Sequence, residues 1–212
     1  MRDNGLLAGF DWRFAEHWKL RGDLRDFGQD GVYLHELAPE RARTAKGTLS
    51  YGDKKWRGST FVRHRFVDNN VSDHHLENFA TGLHAGMTRG AFSLDADYTF
   101  ARTDTKTLTN FYFDPDPNPQ TTYVGFEGDT HTVAATLGME PSVGVHWEAT
   151  AVWTDTMGSI DLGTLDWRLG LRVDVVAKGA AGVEFREIRY REDGSPDNYD
   201  AALLWLYWRQ SF

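Results

Sequence analysis

The chain has 212 residues, no cysteine and a formal net charge of −8. That length suits one large domain. The lack of cysteine excludes disulfides, thiolate metal sites, covalent c-type haem attachment and a cysteine nucleophile, and the acidic balance argues against a general nucleic-acid binder. The longest apolar run, Ala201 to Trp208, is eight residues, too short for a helix to cross a bilayer, which takes about 20. A polar mean hydropathy still suits a membrane β-barrel, because only alternate residues of each strand meet lipid.

The N-terminal stretch MRDNGLLAGFDW has no charged segment followed by an apolar core and cleavage site. Period-two alternation then divides the chain into runs separated by turns. In the first run, Gly5–Phe14, Leu6, Ala8, Phe10, Trp12 and Phe14 share one face, with Asp11 and Arg13 on the other. Trp18–Phe27 sets Trp18, Leu20, Gly22 and Leu24 against Lys19, Arg21, Asp23 and Arg25. A polar connection, Gly28–Glu40, leads to a weakly patterned third run, Arg41–Tyr51. The fourth run opposes Trp56, Gly58, Thr60, Val62 and Phe66 to Arg57, Ser59, Arg63 and Arg65, with His64 as an exception on the apolar side.

After a polar loop, Asp68–His75, the fifth run carries Phe79, Leu83, Ala85 and Met87 on one face, and Glu77 interrupts the same parity. The sixth sets Phe92, Leu94, Ala96, Tyr98 and Phe100 against Ser93, Asp95, Asp97 and Thr99. Thr103–Thr122 reads as the longest loop. The seventh run spans Tyr123–Gly138. In the eighth, Val143, Val145, Trp147, Ala149, Ala151 and Trp153 face away from His146, Glu148 and Thr150. The ninth is the clearest: Leu165, Trp167, Leu169, Leu171, Val173 and Val175 oppose Asp166, Arg168, Gly170, Arg172 and Asp174. The tenth sets Ala181, Val183 and Phe185 against Glu184 and Arg186. Parity then shifts at Ile188 and Tyr190, as a bulge or an emerging hairpin would make it. Asp200–Phe212 is the eleventh.

The connections alternate short and long along the chain. Transmembrane barrels show this asymmetry, with tight periplasmic turns and long outer loops, and most runs reach the ~9–11 residues a tilted strand needs to cross a bilayer. The predicted fold is therefore all-β: an antiparallel up-and-down transmembrane β-barrel of about eleven strands, in one domain over residues 1–212. A soluble barrel or sandwich with its apolar face inward is the alternative. Paired opposite charges on the polar faces weigh against it, and so do tryptophans near strand ends (Trp12, Trp18, Trp56, Trp153), where interfacial girdles belong. Bacterial barrels normally have an even strand number, so eleven runs suggest the C-terminal part of a larger barrel, or an uncounted strand near Gly31–Leu37.

The last stretch, DAALLWLYWRQSF, places Leu204, Leu206, Trp208 and Phe212 on one face, with Gln210 its only polar member. It resembles the C-terminal strand of Gram-negative outer-membrane β-barrels. The resemblance implies an outer-membrane location, with Trp208 and Phe212 within the signal read by the barrel assembly machinery. The long strands, charged inner face and terminal Phe also resemble, across the whole chain, the decahaem-associated MtrB/PioB barrels, which sheath a multihaem cytochrome. That likeness implies an electron-conduit scaffold as an alternative function.

The charged faces supply candidate lumen-lining residues: Arg21, Arg25, Arg57, Arg63, Arg65, Asp95, Asp97, Glu148, Arg168, Arg172, Asp174 and Glu184. Rings of such charge set ion preference in a pore. The same residues equally suit cross-strand ion pairing that holds a wall together. Arg57, Arg63 and Arg65 beside Arg21 and Arg25 form the best candidate for an anion-attracting strip. His146 and Glu148 share a face, as an acid–base pair would, but no nucleophile motif accompanies them. Asp73, His74 and His75 lack a third metal ligand at fixed spacing, and Asp114–Pro119 lacks calcium-loop spacing. No enzyme activity, cofactor, metal or nucleic-acid partner is therefore expected. The partners expected are outer-membrane lipid and the assembly machinery, with a multihaem cytochrome in the sheath alternative and a barrel enzyme as a further alternative.

Overall fold

The computed structural model describes residues 2–30, 41–69, 73–113, 116–176 and 179–210. They form strands β1 (Arg2–Ala15), β2 (Trp18–Asp30), β3 (Arg41–Gly52), β4 (Trp56–Asn69), β5 (His74–Arg89), β6 (Phe92–Phe113), β7 (Asp116–Ser142), β8 (Val145–Gly158), β9 (Leu162–Val176), β10 (Gly179–Glu192) and β11 (Tyr199–Gln210). Each strand pairs antiparallel with its sequence neighbours in a single eleven-stranded sheet. The short turns lie at one end. Gly90 and Gly144, with φ of 60° and 78°, supply the left-handed backbone that two of these turns require.

Registered partners share a face, so one rung can be followed across the sheet. Trp12, Leu20, Leu49, Thr60, Leu83, Tyr98, Val133, Trp153 and Leu165 lie in line, and the rung then continues to Arg189 and Asp200. It begins near the short-turn end of β1 and finishes at the long-connection end of β11. That stagger is the shear a tilted barrel wall carries.

Only Val67 and Ala80 are buried hydrophobic residues among those described, while Leu83, Leu204 and Leu206 are 60%, 66% and 80% exposed. A soluble domain of this size would bury most such side chains. Among the described residues no protein packs on the apolar face, unlike the inner face of a soluble sandwich.

Several strands run further than hydrophobic alternation indicates. β6 and β7 remain paired as far as Phe111 and Gln120, inside the stretch read as the longest loop. Alternating Thr103, Thr105 and Thr107 favour a strand by β-branching without marking an apolar face. The expected bulge at Ile188 and Tyr190 is absent: β10 stays in register with both neighbours from Ala180 through Tyr190. Ile188 and Tyr190 therefore point to the charged side, and Glu187, Arg189 and Arg191 emerge on the apolar side. The possible strand near Gly31–Leu37 lies outside the described residues.

β1 and β11 both run from the long-connection end to the short-turn end, so they are parallel to one another. Among the described residues they do not pair, and the sheet has two open edges.

Candidate functional site

The register places all twelve candidate lumen residues on the charged face, in three zones that differ in how the charges are used. On β8–β10 they pair with carboxylates, across strands or within one. Arg186 donates from Nε and Nη2 to the two carboxylate oxygens of Asp166, at 2.9 and 2.5 Å. Arg168 lies 3.5 Å from Glu148, and Arg172 lies 3.5 Å from Asp174. His146 reaches Glu140 at 2.7 Å and Asp174 at 3.3 Å. Glu148 is engaged by Arg168, so the suggested His146–Glu148 acid–base pair does not form. Glu184 sits on the same face, opposite Gly170.

The middle zone centres on Asp95. Arg57 on β4 donates to it from Nε at 2.9 Å and Nη2 at 2.5 Å, spanning the intervening strand β5. Gly86 makes that reach possible, since a Cβ there would lie 2.6 Å from Arg57 Nε. His84 bridges Asp97 at 2.8 Å and Asp95 at 3.6 Å. Beyond it lies a row of threonine pairs, Thr130 with Thr156 at 3.1 Å and Thr136 with Thr150 at 3.3 Å.

The third zone, β2–β4, is basic. Lys19 is 2.6 Å from Asp11, and Arg21 is 3.2 Å from Asp23. Those two aspartates are then used. Arg63 donates only to Asn78, at 3.1 Å, and Lys46 lies over the Phe61 ring, 5.1 Å from its centroid. Among the described residues, Arg25 and Arg65 have no ionic or hydrogen-bonding partner. Arg25, Thr44 and Arg65 share one rung, and Asp23, Lys46 and Arg63 share the next. A cavity of about 620 Å³ opens over the β2–β3 part of this zone, lined by Lys19, Arg21, Asp23, Arg25, Lys46, Thr44, Thr48 and Ser50.

The strip expected from the sequence is thus partly redrawn. Arg21, Arg25, Arg63 and Arg65 come together, whereas Arg57 is committed to Asp95. Lys46 joins them and was missed. Its signal was present: Thr44, Lys46, Thr48 and Ser50 alternate with Ala45, Gly47, Leu49 and Tyr51, but Ala45 and Gly47, on either side of Lys46, are too small to mark an apolar face.

The remaining candidates separate. His74 and His75 are successive residues of a strand and face opposite ways; His74 bonds Thr107 at 2.6 Å, and His75 lies 3.9 Å from Asp68. Among the described residues no three potential ligands cluster for a metal. Trp208 lies on the apolar face, 55% exposed. Phe212 and residues 114–115 lie outside the described residues.

No family model and no curated protein matches the sequence. Solved structures do. The chain is similar to OmpT, an outer membrane protein of Vibrio cholerae folded in vitro, with a TM-score of 0.51 and 10% identity over 98% of this chain and 88% of that one. It is also similar to the beta domain of the Bordetella autotransporter BrkA, with a TM-score of 0.41 and 14% identity over 99% of this chain and 91% of that one. The architecture is that of an outer-membrane β-barrel wall. The likeness is one of fold, and the inner-face residues have to be read on their own chemistry.

Proposed function

We propose that this chain forms the wall of a barrel in the Gram-negative outer membrane and that its charged face lines a water-filled passage for solutes. The observation that carries this reading is the separation of the two faces. Leu83, Leu169, Leu204 and Leu206 stand exposed on one side, where hydrocarbon satisfies them. The Arg57–Asp95 and Arg186–Asp166 pairs lie on the other, where water and cross-strand partners do. The open edges need strand partners, because an unpaired backbone group in hydrocarbon costs several kcal/mol. Trp208 and Phe212 fit recognition by the barrel assembly machinery. This reading requires no catalytic step.

The test is single-channel recording in planar bilayers with the refolded protein. Discrete conductance steps, with a reversal potential under a salt gradient that moves when Arg25 and Arg65 become Glu, support the passage. A folded, inserted protein that carries no current counts against it.

One observation favours the sheath around a multihaem cytochrome as a second reading. Leu203, Trp205 and Tyr207 of β11 are each 41% exposed on the charged-face side. A wall that meets only water has no use for them, whereas a packed protein partner would cover them. Co-elution of a purified multihaem cytochrome with the refolded barrel, followed by haem absorbance, separates the two readings: stable co-elution that Trp205→Asp abolishes favours the sheath.

A further inference from the structure

We infer that the basic zone of β2–β4 is a binding site for a doubly charged tetrahedral oxyanion of the phosphate type, held by Arg25, Lys46, Arg63 and Arg65. The inference deepens the reading above and rests on it in one respect, that this face is wet.

Four cations sit on adjacent rungs. Arg25 and Arg65 are separated by the single strand β3, about 10 Å apart at the backbone, and Arg63 and Arg65 are about 7 Å apart along β4. Lys46 sits between Asp23 and Arg63 on its rung, and the registered neighbours of the three arginines on β1, β3 and β5 carry no carboxylate. Arg25 faces Leu7 on β1 and Thr44 on β3. Arg63 and Arg65 face Ala80 and Asn78 on β5. The two local carboxylates are used elsewhere, Asp11 by Lys19 and Asp23 by Arg21. At Asp95 and on β8–β10 the arginines of this face meet carboxylates, which Arg25, Arg63 and Arg65 do not.

The chemistry of the lining selects the ligand class. Guanidinium groups offer forked N–H donors that match a phosphate edge two bonds at a time. The hydroxyls of Thr44, Thr48 and Ser50, which also line the cavity, add donors that do not repel an anion. Asp23, the one carboxylate in the lining, is already held by Arg21. A monovalent halide would meet the same field but use none of the fork geometry. A dianion gains from two cations at once. The cavity of about 620 Å³ is lined by Arg25 and Lys46, with Arg65 and Arg63 beside it on the next strand, registered with Thr44 and Lys46, and its volume lies within the range of small-molecule sites.

The test is phosphate binding by the full chain refolded in detergent micelles, read by ³¹P line broadening and by calorimetry, with folding checked by circular dichroism. Inorganic phosphate should bind at one site per chain, compete with sulfate and be displaced by chloride only at far higher concentration. Arg25→Gln with Arg65→Gln should weaken binding at least tenfold. Lys46→Gln alone should weaken it several-fold and serves if the double variant does not refold. Arg189→Gln, on the opposite face, should leave it unchanged. A parallel titration with glycerol phosphate separates the free ion from its esters, since the tighter binder identifies the form. Binding unaffected by Arg25→Gln/Arg65→Gln or by Lys46→Gln, or equal affinity for chloride, overturns the site. Because binding is read without a bilayer, a protein that binds phosphate and passes no current keeps the site and loses the passage.

Discussion

His64 and Glu77, the two residues that interrupt the apolar alternation of β4 and β5, are bonded to each other: His64 Nε2 lies 2.8 Å from Glu77 Oε1. They belong to a wider pattern. On the same face and toward the long-connection end, Arg43 is 2.9 Å from Asp26, Arg102 is 3.1 Å from Glu127, Arg189 is 2.6 Å from Glu187 and Arg191 is 2.8 Å from Asp200. The apolar face therefore ends in a belt of ion pairs. Charged side chains at hydrocarbon depth are costly, so the belt marks where the wall leaves the lipid.

The belt fixes a depth scale that substitution can read. Leu169→Arg, in the middle of the apolar band, should cost about 2–4 kcal/mol of folding free energy into vesicles, and Ala202→Arg, beside the belt, about 0–1 kcal/mol. Denaturant unfolding followed by tryptophan fluorescence measures both. Equal costs at the two positions would mean that the belt does not mark the edge of the hydrocarbon.

The β3–β4 turn is held by one carboxylate. Asp53 Oδ1 accepts from the backbone N–H of Lys55 and of Trp56, each at 2.7 Å, and Tyr51 donates its hydroxyl to Oδ2 at 2.7 Å. The Trp56 amide, with Tyr51 and Lys55 after it, holds the carboxyl at about 2 instead of 3.8. A depressed folded-state value means that the stabilisation is complete above pH about 3.8 and is lost as pH falls through about 2. Hydrogen exchange at the Lys55 and Trp56 amides should therefore stay slow at pH 4 and quicken below pH 3. In Asp53→Ala it should be fast at either pH, after correction for intrinsic rates.

This distribution explains which parts of the architecture were legible in the sequence. Within the lipid band one face of each strand must be apolar, so alternation marked all eleven strands and grouped the twelve charged candidates that the register places on one face. Beyond the band that constraint ends. The Thr-rich extensions of β6 and β7 then looked like loop, and Glu187, Arg189 and Arg191 looked like a shift in register although β10 runs straight through. Pairing was the other gap. Alternation shows that Arg57 and Arg63 share a face, but not that Arg57 crosses Gly86 to Asp95 while Arg65 has no carboxylate to meet. That depends on which strands lie opposite and at what stagger, and a single strand does not encode it.

The reach across Gly86 can itself be measured. A double-mutant cycle on Arg57 and Asp95 should give a clearly measurable coupling, because both N–H bonds of the fork are made. Arg21 and Asp23, two residues apart on one strand and joined less closely, should couple by only a few tenths of a kcal/mol. Gly86→Val should reduce the Arg57–Asp95 coupling to near zero by filling the space the guanidinium crosses. A coupling that survives Gly86→Val would show that the pair does not need that gap.

The parallel course of β1 and β11 constrains how the wall closes. If the eleven strands closed on themselves the seam would be parallel, a pairing slightly weaker per residue than the antiparallel ladders elsewhere in the sheet and at odds with the even strand number usual in bacterial barrels. An antiparallel seam needs an odd number of further strands between β11 and β1. The chain has no cysteine, so introduced pairs report cleanly. Ala8→Cys with Leu24→Cys, registered neighbours on β1 and β2, should oxidise readily in the refolded protein. Ala8→Cys with Leu204→Cys, or with Leu206→Cys, should not, because a disulfide needs Cβ atoms about 3.5–4.5 Å apart and an intervening strand keeps them near 10 Å. An intrachain disulfide between β1 and β11 would show that eleven strands complete the barrel through a parallel seam.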